Sequence, residues 1–140
     1  MLTDNPALVK LLDEELIGFL TAVSLDGQPQ ASPVWYLRDG EDIVVYNRPS
    51  SPRLVSIAAN PKVAFNLRGD RHGDVVVTLE GEARIEDLPL PTEFPGYLDK
   101  YGSEIVRIGF TPEAFGVGYN VALRIVVTRV RAEGLDRSQD

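Results

Sequence analysis

Residues 17–47 read IGFLTAVSLDGQPQASPVWYLRDGEDIVVYN, and this stretch decides the fold. Apolar and small residues fill Ile17 to Leu25 with a period of two. Asp26-Gly27 follows, a pair suited to a tight primed turn because glycine takes the positive φ that such a turn requires. Gln30 to Leu37 returns as a second strand, and Asp39-Gly40 turns the chain again into Asp42–Asn47. The reading is three antiparallel strands in immediate succession, a meander. Pro33 sits inside the middle strand, where its missing N–H belongs at an edge or a bulge.

Working outward, Leu8, Leu11, Leu12 and Leu16 recur at helical spacing behind Asn5-Pro6. A capping residue and a first-turn proline therefore predict a helix from Asn5 to about Leu16. After the meander, Arg48-Pro49-Ser50-Ser51-Pro52 breaks the sheet. Ser51 stands at the cap position of a helix that begins at Pro52 and stops near Asn60, before Pro61. Val63–Leu67 reads as a strand, Gly69–Gly73 as a loop, and Val75–Ile85 as a long strand in which Gly81 marks a bulge or a close approach. Pro89, Pro91 and Pro95 mark an irregular connector. A helix is expected within Phe94–Ile108 and another from Thr111-Pro112-Glu113. Val121–Val130 is the last strand, and a frayed polar tail is expected from Ala132. About six strands with three or four short helices predict a mainly β fold, a small antiparallel barrel with helices packed outside it.

The chain has 140 residues, which fits one domain over 1–140. Its 14 Lys+Arg against 21 Asp+Glu give a net charge of −7, which argues against nucleic acid or anionic membranes as partners. Cysteine is absent, so thiolate catalysis and cysteine metal sites are excluded. His72 is the single histidine; a histidine metal cluster within one chain is impossible, and a Ser-His-Asp triad would depend on that residue alone. The start, Met1 to Pro6, lacks a signal-peptide pattern, and no apolar run is long enough to span a bilayer. The expected location is the cytoplasm.

The charge is not evenly spread. Arg48, Arg53, Lys62, Arg68 and Arg71 face only Asp70 within Arg48–Arg71, a net of 5 − 1 = +4, so the other residues carry 9 − 20 = −11. This segregation suggests an anion site on an acidic protein; the alternative is a solvated basic face. Ser51-Pro52-Arg53 opens a helix, where free N–H groups, the positive dipole end and a guanidinium together suit a phosphate. Ser51 acting only as a cap is the other reading. Ser32-Pro33-Val34-Trp35-Tyr36 holds the one tryptophan, either lining a slot for a flat ligand or belonging to core or a subunit interface. Gly116-Val117-Gly118 is not a dinucleotide fingerprint, since it ends a helix and lacks the third glycine. Glu80 and Glu82 share one strand face, read as the solvent face.

The order and spacing of several short motifs resemble a known family. They are Leu20-Thr21-Ala22-Val23, Asp26-Gly27-Gln28-Pro29, Ser32 to Tyr36, Tyr46-Asn47-Arg48, Ser51-Pro52-Arg53, Asn60-Pro61-Lys62-Val63, Leu79 to Ala83, Tyr97 to Gly102 and Arg107 to Glu113. This pattern resembles the pyridoxamine-phosphate-oxidase-like split-barrel family, and within it the actinobacterial branch of deazaflavin (coenzyme F420)-dependent oxidoreductases. The resemblance implies a six-stranded antiparallel split barrel that forms a homodimer, with cofactor sites at the subunit interface. It implies that Ser32, Pro33, Val34 and Trp35 run along the ring of F420, with Tyr46 and Asn47 at its edge. Arg48, Ser50, Ser51 and Arg53 then hold the phosphate, and Lys62, Arg68 or Arg71 meet the acidic tail. The implied partner is a small organic hydride acceptor, with no nucleic acid. FMN in the same fold, used by an oxidase or reductase, and a carrier that binds F420 without turnover are the alternatives. Arg53 stands where many relatives have Lys, which keeps the charge and adds a planar fork. Ser56 stands where relatives often have Asn. The basic, aromatic-rich C-terminus of oxidases acting on pyridoxamine phosphate is lacking, so that activity is not expected.

Overall fold

The computed structural model describes residues 1–135. In chain order the elements are α1 (Pro6–Glu14), β1 (Gly18–Val23), β2 (Pro29–Val34), β3 (Leu37–Asp39), β4 (Asp42–Asn47), α2 (Pro52–Ala59), β5 (Lys62–Asn66), β6 (Val76–Glu86), α3 (Tyr97–Arg107), α4 (Pro112–Gly118) and β7 (Val121–Glu133). The strands form one antiparallel sheet in the order β2-β1-β5-β6-β7-β4-β3. It is a mainly β fold, a curled sheet with helices, as the hydrophobic pattern predicts.

The predicted meander is corrected at its middle strand. Residues 29–34 pair only with β1, Val34 opposite Gly18, while residues 37–39 pair only with β4, Asp39 opposite Asp42. The return strand is thus two strands, seven in all where six were expected, and they lie at opposite ends of the sheet order. Only Trp35 and Tyr36 join them, so the chain itself ties the two sheet edges together. The cause lies in hydrogen bonding. The Tyr36 N–H, 2.9 Å from the Tyr101 hydroxyl oxygen, donates to that side chain and not to a neighbouring strand. The Tyr101 hydroxyl in turn donates to the Leu16 carbonyl at 2.7 Å, with the Tyr36 carbonyl 3.0 Å away. Every buried main-chain group must find a partner, and here a tyrosine takes the place of a strand.

The expected tail is also corrected. β7 continues through Ala132 to Glu133, because Ala132 and Glu133 pair with Val77 and Val76 of the long β6. The rest of that predicted tail, residues 136–140, lies outside the described residues. The irregularity foreseen at Gly81 is present as a register shift between Glu80 and Gly81. Glu80 and Glu82 are exposed on β6, as read.

Alternation on β4 builds two cores. Ile43 and Val45 point into the barrel with Leu20, Phe65, Leu79 and Leu123, closed by Leu8 and Leu12 of α1 and Leu54 and Ile57 of α2. Val44 and Tyr46 point the other way, onto Tyr97, Tyr101 and Ile105 of α3 and Phe115 of α4. A strand buried on both faces needs a nearly continuous apolar run, and Ile43 to Tyr46 supplies it. Among the described residues, no helix is long and apolar enough to cross a membrane.

Candidate functional site

Two clefts meet at one side chain. The first, of about 390 Å³, is walled by Pro33, Val34 and Trp35 at the β2–β3 junction, by Tyr46 of β4, and by Tyr97, Phe115 and Tyr119 from the helical side. The second, of about 410 Å³, lies between β1, β2 and the start of α2, and is lined by Ser32, Ser51, Pro52 and Ser56 among others. Arg53 lines both.

The first cleft is an aromatic slot. The Trp35 ring stacks on Tyr101 with centroids 4.9 Å apart and planes 14° apart, and leans on Phe115 at 5.4 Å. Tyr46 meets Tyr97 edge-on at 5.3 Å. Tyr119 stacks on Phe115 at 4.5 Å, with the Arg48 guanidinium 4.9 Å from the Tyr119 ring centroid. Such mutual packing holds the rings in place and leaves their remaining faces to a flat ligand. The Tyr46 hydroxyl donates to the Pro89 carbonyl, and burial pushes its pKa up to about 12. Among the described residues no carboxylate lines this slot.

The second cleft is polar. Pro52 begins α2 with Ser51 at the cap position, as predicted, but the Ser51 side chain makes no capping hydrogen bond. Its hydroxyl is left to the cleft it lines. Arg53, in the first helical turn, is half-buried, and burial lowers its pKa. Among the described residues Arg53 has neither an ion pair nor a side-chain hydrogen bond, although six other arginines are ion-paired. A half-buried guanidinium without an anion is an unfavourable arrangement that a bound anion relieves. The positive end of α2 acts in the same direction.

The structure brings together Ser32, Pro33, Val34, Trp35, Tyr46, Ser51 and Arg53 from the sequence expectation. It does not bring Asn47, Arg48 or Ser50 into either cleft. Asn47 follows Tyr46 on β4, so period two turns it to the opposite face. There its Nδ2 donates to the carbonyls of Val45 at 3.0 Å and Val121 at 3.2 Å, and its Oδ1 is buried without a partner. Arg48 buttresses Tyr119, and Ser50 is exposed. Of the basic segment, Lys62 lies opposite Glu82 on the sheet, and Arg68 and Arg71 are exposed in the β5–β6 loop with His72. Ile17, Tyr97, Ile108, Phe115 and Tyr119 were not foreseen as site residues. A signal existed: six of the eleven aromatic residues fall between Phe94 and Tyr119.

Comparison with known proteins places this geometry. The profile of the pyridoxamine 5'-phosphate oxidase family matches residues 5–134. The chain belongs to that family. Membership accounts for the curled sheet and its helices as a split barrel. Among solved structures, an F420 reductase is 26% identical with a TM-score of 0.66, over 87% of this chain and 94% of that one. A conserved hypothetical protein from Mycobacterium tuberculosis is 23% identical with a TM-score of 0.73, over 97% and 88%. The heme storage protein of Vibrio cholerae shares the fold at 14% identity and a TM-score of 0.62, over 90% and 92%. No curated protein sequence matches.

Proposed function

We propose that this member of the family binds coenzyme F420 as a homodimer and passes a hydride from its reduced form to a small organic acceptor. The observation that carries the reading is Arg53, an unpaired, half-buried cation shared by an aromatic slot and a polar cleft. A deazaflavin joins a flat ring to a phosphate through a short chain, which is the shape of these two linked spaces. The coenzyme supplies the hydride chemistry when bound. The chain's own residues seat the ring against Pro33, Val34, Trp35 and Tyr46, and hold the phosphate with Arg53, the Ser51 and Ser32 hydroxyls and the start of α2. Similarity to an F420 reductase supports F420 over FMN.

The test is a fluorescence titration of the purified protein with F420 and with FMN. The reading expects saturable F420 binding at least tenfold tighter than FMN. Tight FMN binding with no F420 binding overturns it. The presence of a heme storage protein on the same fold makes a carrier the second reading. Saturable F420 binding with no oxidation of the reduced coenzyme by a broad panel of enones and quinones favours that carrier.

A further inference from the structure

Among the described residues four tyrosines are buried: Tyr36, Tyr46, Tyr97 and Tyr101. Three of them give their hydroxyl proton to a main-chain carbonyl, of Leu12, Pro89 and Leu16 respectively. Tyr97 gives its proton to nothing among the described residues. The residue is only 1% exposed, so the little surface it keeps faces a confined space. The sealed, partnerless polar side-chain atom among the described residues is Asn47 Oδ1, not the Tyr97 hydroxyl. The hydroxyl therefore opens onto a space, and the space Tyr97 lines is the aromatic slot.

We propose that the Tyr97 hydroxyl is the hydrogen-bond donor to a carbonyl oxygen on the flat ring that fills the slot. Burial raises its pKa, so the phenol keeps its proton and stays a donor. Among the described residues no carboxylate lines the slot and Arg53 does, so the slot does not select a cationic ring. The neighbouring surfaces of Trp35, Tyr46 and Phe115 take up the faces and edges of a conjugated ring, and the phenol adds direction. This deepens the reading above and rests on the slot being a ligand site. Two rings carry such an oxygen, the coenzyme's own and that of a conjugated carbonyl acceptor.

The single tryptophan, Trp35, reports on the slot through its one indole N–H resonance. Wild type and Tyr97→Phe are titrated with coumarin, with naphthalene, and with F420, following that resonance; coumarin is repeated at saturating F420. The substitution is expected to weaken coumarin roughly five- to tenfold and to leave naphthalene unchanged. The melting midpoint should stay within about 2 °C, because no internal hydrogen bond is lost. If F420 displaces coumarin and Tyr97→Phe weakens F420 too, the oxygen is the coenzyme's. If coumarin binds beside F420, the oxygen is the acceptor's. Equal affinities of wild type and variant for coumarin and F420, an equal loss for naphthalene, or a Trp35 resonance that responds to neither coumarin nor F420 overturns the proposal. Wild type that fails to bind F420 yet binds coumarin overturns the coenzyme reading alone, and the coumarin comparison still decides Tyr97.

Discussion

Tyr101 holds together a break in the main chain. Its hydroxyl takes the Tyr36 N–H and reaches the Leu16 carbonyl, at the point where β2 ends and β3 begins. Tyr101→Phe leaves the buried Tyr36 N–H and the part-buried Leu16 carbonyl without this partner, at a total cost of about 1–3 kcal/mol. Urea unfolding should show that loss for Tyr101→Phe and almost none for Tyr97→Phe, whose hydroxyl has no internal partner. Lys100 gives a second prediction at this scale. Its ammonium lies 3.8 Å from the Tyr36 ring centroid and donates to the Leu12 carbonyl at 3.2 Å. Burial nevertheless outweighs the attraction of Asp13 and Glu15 and lowers its pKa to about 8. The folded state thus disfavours the charged form that the unfolded chain keeps up to its ordinary value near 10.5. Stability from Lys100 is lowest below about pH 8 and rises as pH climbs toward the unfolded value. Unfolding midpoints at pH 7.5 and 9.5 should rise in wild type, and Lys100→Met should flatten that rise.

The elements show which parts of the fold were legible in the sequence. The turns at Asp26-Gly27 and Asp39-Gly40, the proline-led helices and the bulge at Gly81 are local, and each was read from a few neighbouring residues. A Cβ at Gly81 would lie 2.4 Å from the Val126 carbonyl oxygen, a main-chain atom that cannot step aside. Gly81→Ala should therefore cost about 2–3 kcal/mol and show in thermal denaturation; an unchanged midpoint would mean the bulge shifts freely. The split of the return strand was not legible, because the partner of Tyr36 lies 65 residues further along. The same holds for the candidate site. Ser51-Pro52-Arg53 and Ser32 to Trp35 carried a chemical signature of their own. The opposite wall, from Tyr97 to Tyr119, looked like ordinary helix packing until the sheet brought it against Trp35. Asn47 lies outside both clefts although it neighbours Tyr46, because adjacency in a strand means opposite faces.

At the scale of the molecule, the net charge of −7 conceals a cation placed where the two clefts meet. The basic residues of Arg48–Arg71 do not form a single patch over the clefts; Arg53 alone lines them. The proposed homodimer is supported by β2, an edge strand, and by Leu25 and Val55, 72% and 60% exposed, which share a shallow depression beside the polar cleft. Sedimentation equilibrium should return twice the 15.4 kDa of the chain, and a monomer at micromolar concentration would remove the second subunit from the account. In the proposed function one arginine links a ring slot to a phosphate cleft. Binding of F420 should be compared with binding of the same deazaflavin ring and ribityl chain without phosphate, in wild type and in Arg53→Gln. Wild type should prefer the phosphorylated coenzyme by roughly tenfold or more, and Arg53→Gln should abolish the preference while still binding the ring. Equal affinity for both ligands in wild type, or a preference that survives Arg53→Gln, would contradict it.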